Sequence, residues 1–172
     1  MVRKRMYLIV TRNFPPEIGG MQNLMWGLAN ELSKNFMIKV FADYYKDHNI
    51  YDERVSFSID RVGGIKLFRK YRKAQLINEF IKVNKVEAII ADHWKSLELL
   101  KTNNKKICLI HGKEINHEKD TNLNKRVLKV LNNVETIVAN SEYTKDLAIS
   151  LGVQQDKIVV INPGVNQVQE LD

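Results

Sequence analysis

Phe14-Pro15-Pro16-Glu17-Ile18-Gly19-Gly20-Met21-Gln22 lies between an apolar run, Met6 to Val10, and a run with helical spacing, Met21 to Lys34. The order reads as strand, tight turn, helix. The two prolines hold the approach extended, because each restricts its own φ and the residue before it. The paired glycines permit positive φ and leave main-chain N–H groups uncovered by side chains. The helix aims its unpaired N–H groups and positive dipole end back at the turn. Such a place suits a phosphate, or a sugar hydroxyl brought close to the main chain. The spacing fits neither a dinucleotide-binding glycine fingerprint nor a P-loop, so an ordinary strand-to-helix turn is an equal reading.

Outward from this turn the chain alternates. Met6 to Val10 is continuously apolar, as a strand covered on both faces requires. Leu24, Met25, Leu28 and Leu32 recur at helical spacing. Met37 to Ala42 is the second predicted strand, Asp43 to Asp52 a polar loop, and Val55, Phe57 and Ile59 alternate as a third strand. Lys66 to Asn84 is the longest helical pattern, with Leu67, Phe68, Tyr71, Ala74, Ile77, Phe80 and Ile81 at three-and-four spacing. Strands follow at Val86 to Ala91, Ile107 to Ile110, Thr136 to Ala139 and Ile158 to Ile161. Helices lie between them at Ser96 to Lys101, Leu123 to Leu131 and Ser141 to Leu151. This alternation implies an α/β, Rossmann-like three-layer sandwich on a mainly parallel sheet of about seven strands. Ligands in such sheets bind at the carboxyl ends of the strands. Gly19-Gly20, His111-Gly112 and Asn140-Ser141 fall at such ends.

The 172 residues are about one domain, long enough to bury a core without staples. The single Cys108 excludes an internal disulfide and a cysteine zinc site. No apolar run approaches the length of a membrane span, and the run after the basic N-terminus is too short for a signal peptide. The expected compartment is the cytoplasm. The net charge is +7. Arg61, Lys66, Arg69, Lys70, Arg72 and Lys73 carry most of it, with no acid among them up to Asn78. Two readings of this patch stay open. It is either the solvated face of an amphipathic helix whose Leu67, Phe68 and Tyr71 enter the core, or a membrane patch (Lys66, Arg69, Lys70, Arg72, Lys73) for anionic lipid. Nucleic acid is not expected, because no nucleic-acid motif accompanies the patch.

The ordered motifs resemble the N-terminal domain of the family 4 (group 1) glycosyltransferases, which have the GT-B fold. The matching residues are Pro15-Pro16-x-x-Gly19-Gly20-x-Gln22, Leu28-Ala29-x-x-Leu32, His111-Gly112, Val138-Ala139-Asn140-Ser141-x-x-Thr144, Leu151-Gly152-Val153 and Lys157-Ile158-x-Val160-Ile161-Asn162-Pro163-Gly164-Val165-Asn166. The resemblance implies a two-domain enzyme. Its N-terminal half, here residues 1–166, holds the acceptor, and a C-terminal half binds a nucleotide-sugar donor. Residues 167–172 would begin the linker, and the donor domain would be absent. The chain is then an excised domain, a truncated gene product or a subunit awaiting a partner, and by itself inactive. The implied reaction is retaining transfer of a sugar to a glycan or lipid-linked acceptor in cell-surface polysaccharide or glycolipid synthesis. It would use the nucleotide sugar as co-substrate, with no other cofactor and no metal.

The resemblance carries roles to particular residues. Gly19 and Gly20 face the donor diphosphate and reacting sugar, and His111 and Gly20 serve catalysis. Gln22, with Asn13 and His93 at neighbouring strand ends, takes the acceptor. Asp92, Glu114 and Glu17 are carboxylates near strand or turn ends that could act as bases, although no pair can be placed around one bond. Asn140-Ser141 reads most simply as a helix N-cap. His48 and His117 lie in polar loops and read as solvated. The alternative function is a non-catalytic binding or interaction module that pairs with a separate subunit or the membrane.

Overall fold

The computed structural model describes residues 5–164. Among them seven strands form one sheet: β1 Met6–Val10, β2 Met37–Asp43, β3 Ser58–Val62, β4 Ala88–Ala91, β5 Lys105–Ile110, β6 Thr136–Ala139 and β7 Ile158–Val160. The spatial order is β3-β2-β1-β4-β5-β6-β7, and every neighbouring pair is parallel. Six α-helices connect them: α1 Gly20–Ser33, α2 His48–Asp52, α3 Lys66–Val83, α4 Trp94–Leu97, α5 Asn122–Leu131 and α6 Glu142–Ser150.

Side chains of β1 alternate between two cores. Ile9 packs with Phe14, Met25 and Ala29 under α1. Leu8 and Val10 join Ile77, Trp94, Val127, Leu131 and Ala148 on the face covered by α3 to α6. This is the three-layer sandwich expected from the sequence. Strand order reverses between β1 and β4. The chain walks outward from β1 through β2 to β3, then returns across β1 to β4. The carboxyl ends of β1 and β4 therefore diverge and leave a crevice between their following loops.

Several sequence expectations are corrected. The ladder of β3 begins at Ser58, not Val55. Val55 and Phe57 still point into the α1-side core, but side-chain packing rather than strand pairing holds them. The supposed loop 43–52 contains α2, where His48 Nδ1 lies 3.0 Å from Asp52 Oδ2, so His48 is not simply solvated. The glycines of the opening turn do not use positive φ. Gly19 is extended at φ 166° and Gly20 is the first residue of α1. Left-handed glycines occur instead at Gly64, Gly112 and Gly152. Gly152 ends α6 as the sequence suggests, and Ser141 Oγ accepts the N-cap bond from Thr144 N at 3.2 Å.

The largest correction concerns α3. Its 18 residues span about 27 Å, whereas the strands beneath cover roughly 13–23 Å. The helix overhangs the carboxyl end of the sheet. Ala74 and Ile77 reach the core. Leu67 and Phe68 are 69% and 60% exposed, Ile65 is 71% exposed, and Tyr71 is also exposed. Helical spacing foretold the helix, but not that the sheet stops short of its first two turns.

Candidate functional site

A pocket of about 250 Å³ opens in the crevice between β1 and β4, lined by Arg12, Asn13, Met21, Asp92, His93, His111 and Glu114. Each lining residue comes from the segment after a strand, or from the first turn of α1. Arg12 and Asn13 follow β1, Asp92 and His93 follow β4, and His111 and Glu114 follow β5.

His111 is placed by its own loop. Gly112 adopts φ 101°, a conformation that side chains disfavour. The turn it makes brings the Glu114 carboxylate back to accept from His111 N at 2.6 Å. Indole Nε1 of the fully buried Trp94 donates to Glu114 O at 3.0 Å and fixes the same loop from below. The Nε2 of His111 is buried and has no partner among the described residues. A buried polar atom left unpaired is costly unless a ligand or solvent satisfies it.

His93 stands across the pocket. It is the N-cap of α4, and its Nδ1 accepts from Lys95 N at 3.0 Å. Burial, reinforced by Lys95 and Arg12, pushes its pKa down to about 4. The ring is therefore neutral near pH 7. With Nδ1 acting as acceptor, the proton sits on Nε2, which can donate to a ligand oxygen.

Asp92 is not free to act as a base. Its Oδ2 accepts from Thr11 Oγ1 at 2.6 Å and from Arg12 N at 3.4 Å, and its Oδ1 from Ser96 Oγ at 3.2 Å. Burial raises its pKa against these bonds. It ties β1 to β4 beneath the pocket floor. Glu114 holds its loop, and Glu17 lines a different cleft.

The glycine turn forms the rim beside Met21. A Cβ at Gly20 would meet nothing within 4 Å, whereas one at Gly19 would collide with the Gln22 side-chain amide. Gln22 is buried under Gly19, so it shapes the turn instead of offering its amide to the crevice. No side chain caps α1, and no acid occupies its first turn. The first intrahelical bond is Asn23 N to Gly19 O at 3.0 Å. The N–H groups of Gly20, Met21 and Gln22 precede it and remain available at the positive helix end.

The basic patch divides. Lys73 is only 5% exposed; its Nζ donates to Thr11 O and Asp43 Oδ1, each at 2.6 Å. Burial lowers its pKa while Asp43 opposes the shift. Arg69 pairs with the other Asp43 oxygen at 3.2 Å. Arg61 pairs with Asp52, stacks over Phe14 and donates to Pro15 O, which clamps the proline turn. Lys73 therefore cannot belong to a membrane patch, and Arg69 and Arg61 are engaged in the fold. Lys66, Lys70 and Arg72 remain exposed. Among the described residues, no cluster of His, Cys, Asp and Glu is arranged to hold a metal.

A parallel seven-stranded sheet with a crevice where the strand order reverses defines a Rossmann-like, doubly wound α/β domain. The chain belongs to glycosyltransferase family 4, which it matches over residues 18–168. No curated protein matches it by sequence search. Among solved structures it is similar to Anabaena HepE in complex with UDP and glucose, at 14% identity and TM-score 0.72, covering 94% of this chain and 45% of that one. Sucrose-phosphate synthase from Thermosynechococcus elongatus gives TM-score 0.75 at 14% identity, over 95% of this chain and 49% of that one. A glycosyltransferase from Rickettsia africae gives 0.68 at 20% identity, over 95% and 44%. The chain thus spans less than half the length of these proteins.

Proposed function

We propose that this chain is the acceptor-side half of a retaining glycosyltransferase. It would move a hexose from a nucleotide-diphosphate sugar to a glycan or lipid-linked acceptor in cell-surface polysaccharide or glycolipid synthesis, on the cytoplasmic side of the membrane. The observation that carries this reading is the convergence of His111 Nε2, a neutral His93 and the uncapped N-terminus of α1 on one crevice. Two imidazole nitrogens suit sugar hydroxyls. The open main chain at Gly20 suits the diphosphate.

Catalysis in this reading is electrostatic and positional. As the sugar–phosphate bond breaks, negative charge grows on the leaving diphosphate. The N–H groups of Gly20, Met21 and Gln22 and the helix dipole oppose that charge. His111 holds a hydroxyl of the reacting sugar, and Asn13 with His93 orients the acceptor. No protein nucleophile is assigned: both oxygens of Asp92 accept from protein donors, Glu114 Oε1 holds the His111 loop, and Glu17 lines the other cleft. A nucleotide-binding half closing over the crevice would exclude water.

The test is transfer from radiolabelled nucleotide sugars by this chain joined to a donor-binding half. His111→Ala should lower kcat by about a hundredfold with the fold retained. Wild-type turnover in that variant would reject the site. A second reading, a non-catalytic module for a membrane or partner, is favoured by the apolar first turns of α3.

A further inference from the structure

A second, larger cleft of about 380 Å³ lies on the other side of Arg12 and Asn13, between the carboxyl ends of β1 and β2 and the overhanging start of α3. Six cations line it, Arg12, Lys66, Arg69, Lys70, Lys73 and Lys95, against two carboxylates, Glu17 and Asp43. Asp43 is consumed by Lys73 and Arg69. Arg12, Lys66, Lys70 and Lys95 have no carboxylate partner among the described residues; Lys70 and Lys95 rest over the rings of Tyr71 and Trp94.

Four cations without a carboxylate partner, drawn from the β1 loop, α3 and α4 around one cleft, exceed what a single carboxylate needs, and match the charge and multiple oxygens of a diphosphate. The rim adds a second property. Lys66, Arg69, Lys70 and Lys73 share one face of α3. Leu67 borders that face at about 100° within the helix, Ile65 is the non-helical residue just before it, and both are largely exposed. Tyr44 and Tyr45 close the opposite wall and are also exposed. These exposed side chains, with Tyr44 and Tyr45 lining the cleft and Ile65 and Leu67 beside Lys66, give an apolar chain leaving a diphosphate in the cleft surface to lie on.

From this we infer that the larger cleft binds the diphosphate of a lipid-diphosphate acceptor, with the lipid running over Ile65 and Leu67. This rests on the glycosyl-transfer reading for the word acceptor only. Asn13 lines both cavities, so a sugar on the diphosphate could present its hydroxyl at the histidine pocket.

The test is a backbone-amide NMR titration of the whole chain with geranyl diphosphate, inorganic pyrophosphate and geraniol. It involves no donor and no turnover, so it can succeed or fail independently of the catalytic assignment. Geranyl diphosphate should shift residues around Arg12, Tyr45 and Lys70, and bind about tenfold or more tightly than pyrophosphate, because the chain adds apolar burial. Lys66→Gln with Lys70→Gln should weaken geranyl diphosphate and pyrophosphate together. Ile65→Ser with Leu67→Ser should weaken geranyl diphosphate and leave pyrophosphate unchanged. Geraniol matching geranyl diphosphate, charge variants binding like wild type, or shifts confined to the histidine pocket would each overturn the proposal. Pyrophosphate and geranyl diphosphate binding equally would leave a free-anion site and overturn the lipid part.

Discussion

His93 divides its two nitrogens between the fold and the crevice. Nδ1 caps α4 and leaves Nε2 for the crevice. Its folded pKa, about 4, lies below the ordinary value of 6.5. Between these values the unfolded chain binds a proton that the folded chain refuses, so this residue's contribution to stability falls as pH drops from 6.5 towards 4. His93→Asn keeps a cap acceptor and removes the titration. The stability difference between variant and wild type, from urea melts across that window, should shift towards the variant at low pH and stay constant above pH 7. The paired glycines separate just as cleanly. Gly19→Ala should cost about 1–3 kcal/mol in a denaturant melt, because the new methyl displaces the buried Gln22 amide. Gly20→Val has open space and should melt within about 0.5 kcal/mol of wild type, while abolishing transfer in the joined enzyme. The sequence marks both glycines as one feature; only the packing of Gln22 assigns them different duties. Lys73→Met leaves Asp43 and Thr11 O short of a donor and should cost about 3 kcal/mol.

Among the elements, β1, α1 and the later strand–helix pairs are legible because burial dictates their periods: continuous where both sheet faces are covered, three-and-four where one helix face is. The first turns of α3 are not, since periodicity records where apolar groups recur and not whether a sheet lies beneath them. The same limit hides the inward turn of Lys73, whose partners Thr11 and Asp43 stand at the ends of the neighbouring strands β1 and β2, far from it in the sequence. Arg12, Lys95 and Tyr44 carry no motif and become visible only when the strand ends are set side by side. The exposed stripe is open to direct assay. Leu67→Ser with Phe68→Ser removes apolar surface from water and should leave helix content and the melt unchanged to about 0.5 kcal/mol. Co-sedimentation with anionic vesicles should fall with those substitutions, and with salt through Lys66, Lys70 and Arg72. Vesicle binding indifferent to both would remove the membrane from consideration.

At the scale of the molecule, the lone thiol reports on the whole sheet. Cys108 sits on β5 with no exposed surface, and burial holds its pKa well above the ordinary value. A thiol reagent should modify it only as fast as the sheet opens, and the rate should rise through the denaturant midpoint. The two cavities meet at Arg12-Asn13, and behind that dipeptide Thr11 joins Asp92 on one side and Lys73 on the other. That partition lends itself to retargeting. On the lipid-diphosphate proposal, exchanging large-cleft side chains such as Lys66, Lys70 and Tyr45 should change which acceptor is admitted while the histidine pocket keeps its geometry, provided the Thr11–Asp92–Lys73 wall between them is left intact.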